Sequence, residues 1–166
     1  MTNKQLCEDF YANCQSIVLS TLDSKGEIES SVAPFVTLDG VLFIYVSELA
    51  KHTQNLLLLN KIEDKTSTLI SGLLLADESA TEQMFARERI TLQLSVTEVE
   101  REQTLYNEVL LKFSEKFGEI VSMLITLPDF HLFALTPIKG GYVRGFGQAF
   151  AFENYPCQKM IPVTRN

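Results

Sequence analysis

The chain has 166 residues, 46% of them hydrophobic, and a formal charge of −7. That is enough apolar material for one core, and too acidic a balance for a protein that grips a phosphate backbone with clustered Lys and Arg, so nucleic acid is not an expected partner. The longest apolar runs, Leu56–Leu59 and Leu73–Ala76, fall far short of the ~20 residues of a membrane helix, and the start of the chain, with Glu8 and Asp9, lacks the apolar core of an export signal, so a cytoplasmic protein with no membrane span is expected.

In chain order, Thr2 to Cys14 reads as an amphipathic helix, with Leu6, Phe10 and Cys14 recurring at i, i+4, i+8 and Thr2 able to cap it. Ile17–Leu22 is strand-like by its β-branching, the Asp23–Gly26 turn follows, and Glu27–Leu38 forms a second strand. Asp39-Gly40 is a strong hairpin signal leading into a third strand, Val41–Val46. Ser47 stands where a hydroxyl would cap a helix over Glu48–Leu59. Lys65–Leu75 is expected to be a strand, Glu78–Arg87 a short helix and Arg89–Glu100 a long strand in which Ile90, Leu92, Leu94 and Val96 alternate with polar residues. Glu102–Lys116 reads as a helix, interrupted by Gly118, with a second short one through Ile120, Met123 and Leu124. Phe130–Leu135 and Gly141–Phe152 return as strands around the Thr136-Pro137 break. Six or seven strands in mostly sequential order with helices between them point to a mainly β fold with peripheral helices, a small antiparallel barrel in a single domain over 1–166, with residues 153–166 as a short tail.

Cys7, Cys14 and Cys157 are odd in number and show neither a C-x-x-C pair nor metal-ligand spacing, which suits a reducing compartment. Cys7 and Cys14, seven apart on one helix face, are expected to be small buried hydrophobes. Gly140–Phe150, GGYVRGFGQAF, gathers four of the eight glycines. A phosphate loop would need G-x-G-x-x-G spacing and a helix behind it. Here alternating small and aromatic residues follow instead, so the segment reads as a strand that bends or lets a neighbour approach closely, with Gly145 and Gly147 serving backbone geometry. Glu98, Glu100, Glu102 and Glu108 read as a solvated acidic surface. No Ser-His-Asp, Cys-His or paired-carboxylate arrangement is supported by spacing.

Four segments together, Ser30–Val36 (SSVAPFV), Phe43–Leu56 (FIYVSELAKHTQNL), Phe85–Gln93 (FARERITLQ) and Asp129–Phe150 (DFHLFALTPIKGGYVRGFGQAF), resemble the haem-iron-utilisation, HugZ/HutZ-like branch of the pyridoxamine-phosphate-oxidase-like, FMN-binding split barrels. The resemblance covers Ser16 to Phe150 and implies an antiparallel split β-barrel that forms a homodimer with ligand pockets at the subunit interface. It implies haem or FMN as ligand. In flavin-binding members hydroxyl and basic residues hold the phosphate, and Ser47, Lys51, His52 and Thr53 match that segment. A helix N-terminus with nearby cations is independently a reasonable anion site, for a phosphate or a haem propionate. Arg87 and Arg89 could add bidentate hydrogen bonds to either, Arg144 is the one cation of the glycine-rich strand, and Ser30 or Ser31 could meet a ring edge unless they lie on a wet face.

Haem-binding members use a histidine in a C-terminal extension as axial ligand, and no histidine follows His131 in the sequence given. His52 is then a candidate for the iron, though none is assigned. His131 is expected to face solvent, and Cys157 and Met160 to lie in a tail without a ligand role. The resemblance thus implies a haem-utilisation protein that binds haem and could open it oxidatively. An FMN-dependent oxidoreductase and a noncatalytic haem or flavin carrier are the alternatives.

Overall fold

Chemistry local to the N-terminus is enough to start a helix. In the computed structural model, which describes residues 1–64 and 69–164, the Gln5 backbone N–H donates to the Thr2 hydroxyl and the Thr2 N–H donates to Gln5 Oε1. This reciprocal capping box opens α1 (Asn3–Asn13). The strands β1 (Ser16–Leu22), β2 (Ile28–Leu38) and β3 (Val41–Ser47) then meander antiparallel. Asp39 and Gly40 both take left-handed backbone (φ 50° and 80°), the conformation a two-residue hairpin turn requires.

Helix α2 (Lys51–Asn60) follows, then β4 (Leu69–Leu75), β5 (Arg89–Val99), α3 (Thr104–Phe117), α4 (Ile120–Ile125), β6 (Phe130–Gly145), β7 (Gln148–Glu153) and the two-residue β8 (Ile161–Pro162). The sheet order is β3-β2-β1-β4-β5-β6-β7-β8, and β3 also pairs with β6, so six strands close into a barrel and β7 and β8 extend from it. This is the mainly β, antiparallel split barrel expected. Closure works because β6 is long: residues 130–135 lie between β3 and β5, and residues 139–145 lie between β5 and β7.

Alternation along the strands sends apolar side chains to both sides of the wall. Ile17, Leu19, Phe35, Ile44, Leu92, Leu94, Phe133 and Tyr142 fill the interior. Outside, α3 packs Tyr106, Val109, Leu110 and Phe113 onto Val36, Phe43, Tyr45 and Leu132. Helix α2 closes one end, with Leu56 fully buried and the Asn55 amide donating to the Thr21 hydroxyl at 2.9 Å. The remaining outer face, over β1, β4 and the first half of β2, has no helix packed on it. Its outward residues are Val18, Leu22, Ile28, Val32, Leu69 and Leu73 with Ser16, Ser20, Ser30 and Ser71 between them, and none is charged. Ile28 is 73% and Val32 61% exposed.

Several expectations change. Helix α2 begins at Lys51 with Ala50 as an N-cap that makes no side-chain bond, so Ser47 does not cap it. The expected helix over Glu78–Arg87 is two separate 3-10 turns, Glu78–Ala80 and Met84–Ala86. Pro137 does not break its strand: Leu94 pairs with Pro137 and Gln93 with Lys139, so a one-residue bulge at Ile138 absorbs it, and β6 continues to Gly145. GGYVRGFGQAF is accordingly a hairpin rather than one bent strand, turning at Gly147 (φ 66°). At Gly140 the close neighbour is the chain itself, since a Cβ there would run into the Thr91 carbonyl and lie 2.7 Å from Phe152 Cζ. Cys157 is not in a loose tail: it is 1% exposed and joined by a disulfide to Cys7, leaving Cys14 free. Residues 65–68 of the strand expected over Lys65–Leu75 lie outside the described residues.

Candidate functional site

Two regions hold some of the polar and cationic groups singled out above. The first lies at the start of α2. Lys51 Nζ reaches Glu29 at 3.5 Å and Asp23 at 3.9 Å. His52 and Thr53, in the same turn, are 8% and 0% exposed, and neither His52 Nε2 nor Thr53 Oγ1 has a hydrogen-bond partner. Ser31 Oγ is also buried without one, and Ser31 sits two residues along β2 from Glu29 on the same, inward side. Buried polar atoms without partners are rare in folded chains, so two in one turn of α2, with a third on the inward side of β2, mark groups with bonding capacity to spare. Burial holds the His52 pKa below its ordinary value, although the Glu29 charge pulls it back upward.

Ser47 is not part of that cluster. Its hydroxyl donates to Asp129 Oδ2 at 2.5 Å and accepts from the Leu49 N–H at 3.1 Å, bracing the loop before α2. Nor do the three arginines join it. Arg87 Nε donates to the Ala76 carbonyl at 2.7 Å and Nη1 to Glu78 at 3.2 Å. Arg89 Nη1 donates to the Arg87 carbonyl, and Arg144 Nη1 to Asn3 Oδ1, at 2.8 and 3.0 Å. His131 is not a solvent-facing residue: it sits between the carboxylates of Glu98 and Glu48 with its side chain 20% exposed, which also removes Glu98 from the free acidic surface.

The second region is a cleft of about 820 Å³ between the C-terminal end of α1 and the outer edge of β1 and β4. Phe10, Val18, Leu73 and Leu75 give it an apolar wall, Arg87 a cation, Cys14 a thiol, and Asp77, Glu78 and Glu88 three carboxylates. Desolvation pushes the Cys14 pKa up to about 11, with Lys116 lowering it and Glu88 raising it in smaller measure. The thiol is therefore neutral near pH 7. Glu88 accepts a hydrogen bond from the hydroxyl of Tyr142, a fully buried barrel residue. Of the singled-out residues only Arg87 lines this cleft. Phe10 and Cys14 were visible in the sequence as a helical stripe, but a stripe reads as core, and nothing in the spacing set Glu88 against Tyr142 from 54 residues away.

No protein-family model matches the chain. It is 35% identical over 143 residues to the haem oxygenase HutZ of Vibrio cholerae, an alignment covering 86% of this chain and 77% of that one. The chain belongs to the HutZ family. The barrel agrees: a crystal structure described as the haem storage protein HutZ from Vibrio cholerae superposes with a TM-score of 0.73 at 30% identity, covering 92% of this chain and 94% of that one. Campylobacter jejuni ChuZ superposes with a TM-score of 0.82 at 30% identity over 96% of this chain, which spans only 61% of that protein. A putative pyridoxamine 5′-phosphate oxidase from Listeria innocua, 10% identical with a TM-score of 0.60, shares the fold alone.

Both ligands that the family and its fold suggest can be set against these two regions. Haem presents a flat apolar ring with two carboxylates. The cleft offers this an apolar wall and a volume within the ~300–1,000 Å³ of ordinary ligand pockets, so the residues fit the ring, and its one cation, Arg87, is shared with Glu78. A flavin phosphate at the start of α2 would meet two unpartnered polar atoms, of His52 and Thr53, but also the carboxylates of Glu29 and Asp23, which already pair with Lys51. Both regions pair their cation with carboxylates, and what favours the cleft for haem is its apolar wall.

Proposed function

We propose that this protein serves haem-iron utilisation by binding haem where two copies of the chain meet. The observation that carries the reading is that Val18 and Leu73 belong both to the cleft and to the uncharged outer face of the barrel. Copies with a net charge of −7 repel one another, and a patch without charge is where they can approach most closely. A second copy seated there buries Val32 and Ile28 and roofs the cleft. Phe10, Val18, Leu73 and Leu75 then hold the ring out of water, and the Arg87 guanidinium, whose Nη2 has no partner among the described residues, takes a carboxylate in a charge-assisted bond. Bound haem supplies an iron centre capable of oxygen and electron chemistry. No histidine lines the cleft, and His52 is buried elsewhere, so the iron ligand stays unassigned.

The test is retention of ferric haem after desalting, read as a Soret band. A stoichiometric band is expected. Arg87→Ala should weaken binding roughly tenfold to a hundredfold, the equivalent of one hydrogen bond to a charged group. Val32→Lys should yield monomers that lose haem. Copurified flavin with no retained haem would overturn the reading. Adding reductant and oxygen then separates storage, in which the band persists, from oxygenase turnover, in which it bleaches.

A flavin phosphate at the start of α2 is the second reading, favoured by the unpartnered atoms of His52 and Thr53 there. His52→Ala with Thr53→Ala should abolish flavin retention if it holds. No helix among the described residues is long and apolar enough to cross a membrane. A cytoplasmic location belongs to the proposal, but the thiol argument for it does not survive the Cys7–Cys157 bridge, because a reducing compartment opposes such bonds. Thiol labelling in fresh extracts checks it: three reactive cysteines under denaturant indicate a reduced cytoplasmic chain, and one indicates the bridge.

A further inference from the structure

His131 stands at a junction of three parts of the chain. On β6 it pairs across the sheet with Val46 of β3, and its ring lies between Glu98 on β5 and Glu48 in the loop that joins β3 to α2. Nδ1 is 2.5 Å from Glu98 Oε1 and Nε2 is 2.6 Å from Glu48 Oε1. A neutral imidazole has one N–H and one lone pair, so it can bond only one of two carboxylates while the lone pair faces the other. An imidazolium donates to both. The other charged groups around this spot are Glu100, Arg101 and Glu102, which share with His131 and Glu98 a depression of about 160 Å³, and Asp129, which accepts from the Ser47 hydroxyl at 2.5 Å and, through its carbonyl, from the Glu48 N–H at 2.8 Å. Arg101 is directed to the Pro128 and Phe130 carbonyls at 3.4 and 3.3 Å.

The loop Ser47–Ala50 is already held at its start, where Ser47 Oγ and the Glu48 N–H both donate to Asp129. We infer that protonated His131 adds a second tie, through the Glu48 side chain, that steadies the first turn of α2, and that its deprotonation loosens that turn. The connection runs through particular bonds. Glu48 holds His131 through its carboxylate, and its carbonyl accepts from the Gln54 amide at 3.0 Å, so one residue ties β6 to the helix. When the proton leaves, the bond that opens is the one to Glu48, whose side chain is 53% exposed and can turn to water. Glu98, at 17%, has nowhere else to go. His52 and Thr53, with their unpartnered atoms, lie in the turn that is loosened.

The pKa direction agrees. Burial opposes the charge on His131, but the hydrogen bonds and charges of Glu98 and Glu48 outweigh it and hold the pKa above 6.5. A group whose folded pKa is raised stabilises fully below its unfolded value, and that contribution is lost as pH rises through the folded value. The second tie is therefore closed in mild acid and open in base. It does not depend on which ligand the chain carries.

The chain has two histidines, so an NMR titration resolves each. The expected result is His131 titrating above its ordinary value, with exchange of the 48–53 amides, corrected for intrinsic rate, rising severalfold between about pH 6 and about pH 9. Glu48→Gln should lower the His131 pKa and leave that exchange fast at both pH values. His131→Gln should remove its pH dependence. Exchange at 48–53 that is the same at both pH values in the parent chain, or a pH dependence that survives Glu48→Gln, would overturn the inference even if His131→Gln failed to fold.

Discussion

Gly140 and Gly145 lie in one short run, yet replacing each with alanine should act in opposite directions. A Cβ on Gly140 would come closer than 3.0 Å both to the Thr91 carbonyl oxygen and to Phe152 Cζ. Neither can yield easily: Thr91 is locked in the β5–β6 ladder opposite Gly141, and Phe152 is 2% exposed in the barrel core. Overpacking of this kind costs about 1–3 kcal/mol and a weakened ladder bond about 1 more, so about 3 kcal/mol is expected. For a chain of this size that lowers Tm by roughly 6–12 °C. A Cβ on Gly145 would meet nothing within 4 Å, and no left-handed φ is needed there. Gly145→Ala should be neutral or stabilising by up to ~1 kcal/mol, because alanine narrows the unfolded ensemble. Thermal melts followed by circular dichroism distinguish the two. If Gly140→Ala melts with the parent chain, the close approach of β5 to this run is wrong, and with it the register that shapes the barrel.

Three further outcomes follow from the same structure. The Cys7–Cys157 bridge joins residues 150 apart, for which the loop-entropy model gives an upper figure of about 5 kcal/mol; Cys157→Ser should melt well below the oxidised parent and alongside the reduced one, and a parent indifferent to reductant would refute this. Lys116 Nζ donates to the carbonyls of Cys14 and Phe35 at 2.8 and 2.9 Å, tying α3 to the end of α1 and to β2, so Lys116→Met should lower stability by about 1 kcal/mol in urea melts, and no change would show these bonds to be replaced by water. With its folded pKa lowered, His52 withdraws stability as pH falls below its unfolded value near 6.5, the reverse of His131; coincident titration of the two imidazoles would contradict both assignments.

The sequence was most legible where the cause is local. The Thr2 cap, the Asp39-Gly40 hairpin and the alternation of Ile90, Leu92, Leu94 and Val96 depend on neighbours a few residues away, and the structure carries all three. The barrel class could be read from the count and spacing of strands. What lay hidden was pairing at a distance. Pro137 reads as a breaker until the compensating bulge at Ile138 is seen. Ser47 has the chemistry of a cap, but Asp129, 82 residues on, claims its hydroxyl. His131 looks like an ordinary exposed strand residue because the glutamates that hold it come from two other elements. The cleft was illegible for a similar reason, since its wall is made from the side of the strands that usually faces water.

The closure of β3 on β6 has a bearing on solubility. A closed barrel pairs most strands on both sides; residues 28–34 of β2 pair with β1 alone, and at the far end of the sheet stands β8, two residues long. Its second residue, Pro162, has no N–H to offer an incoming strand. The Cys7–Cys157 bridge lies just upstream and holds this short cover against β7, where Ala151 pairs with Ile161 and Phe150 with Pro162. Opening the bridge would lift the cover from a strand of alternating alanine and phenylalanine, so reduced protein should lose solubility, by strand-to-strand association, before it loses its fold.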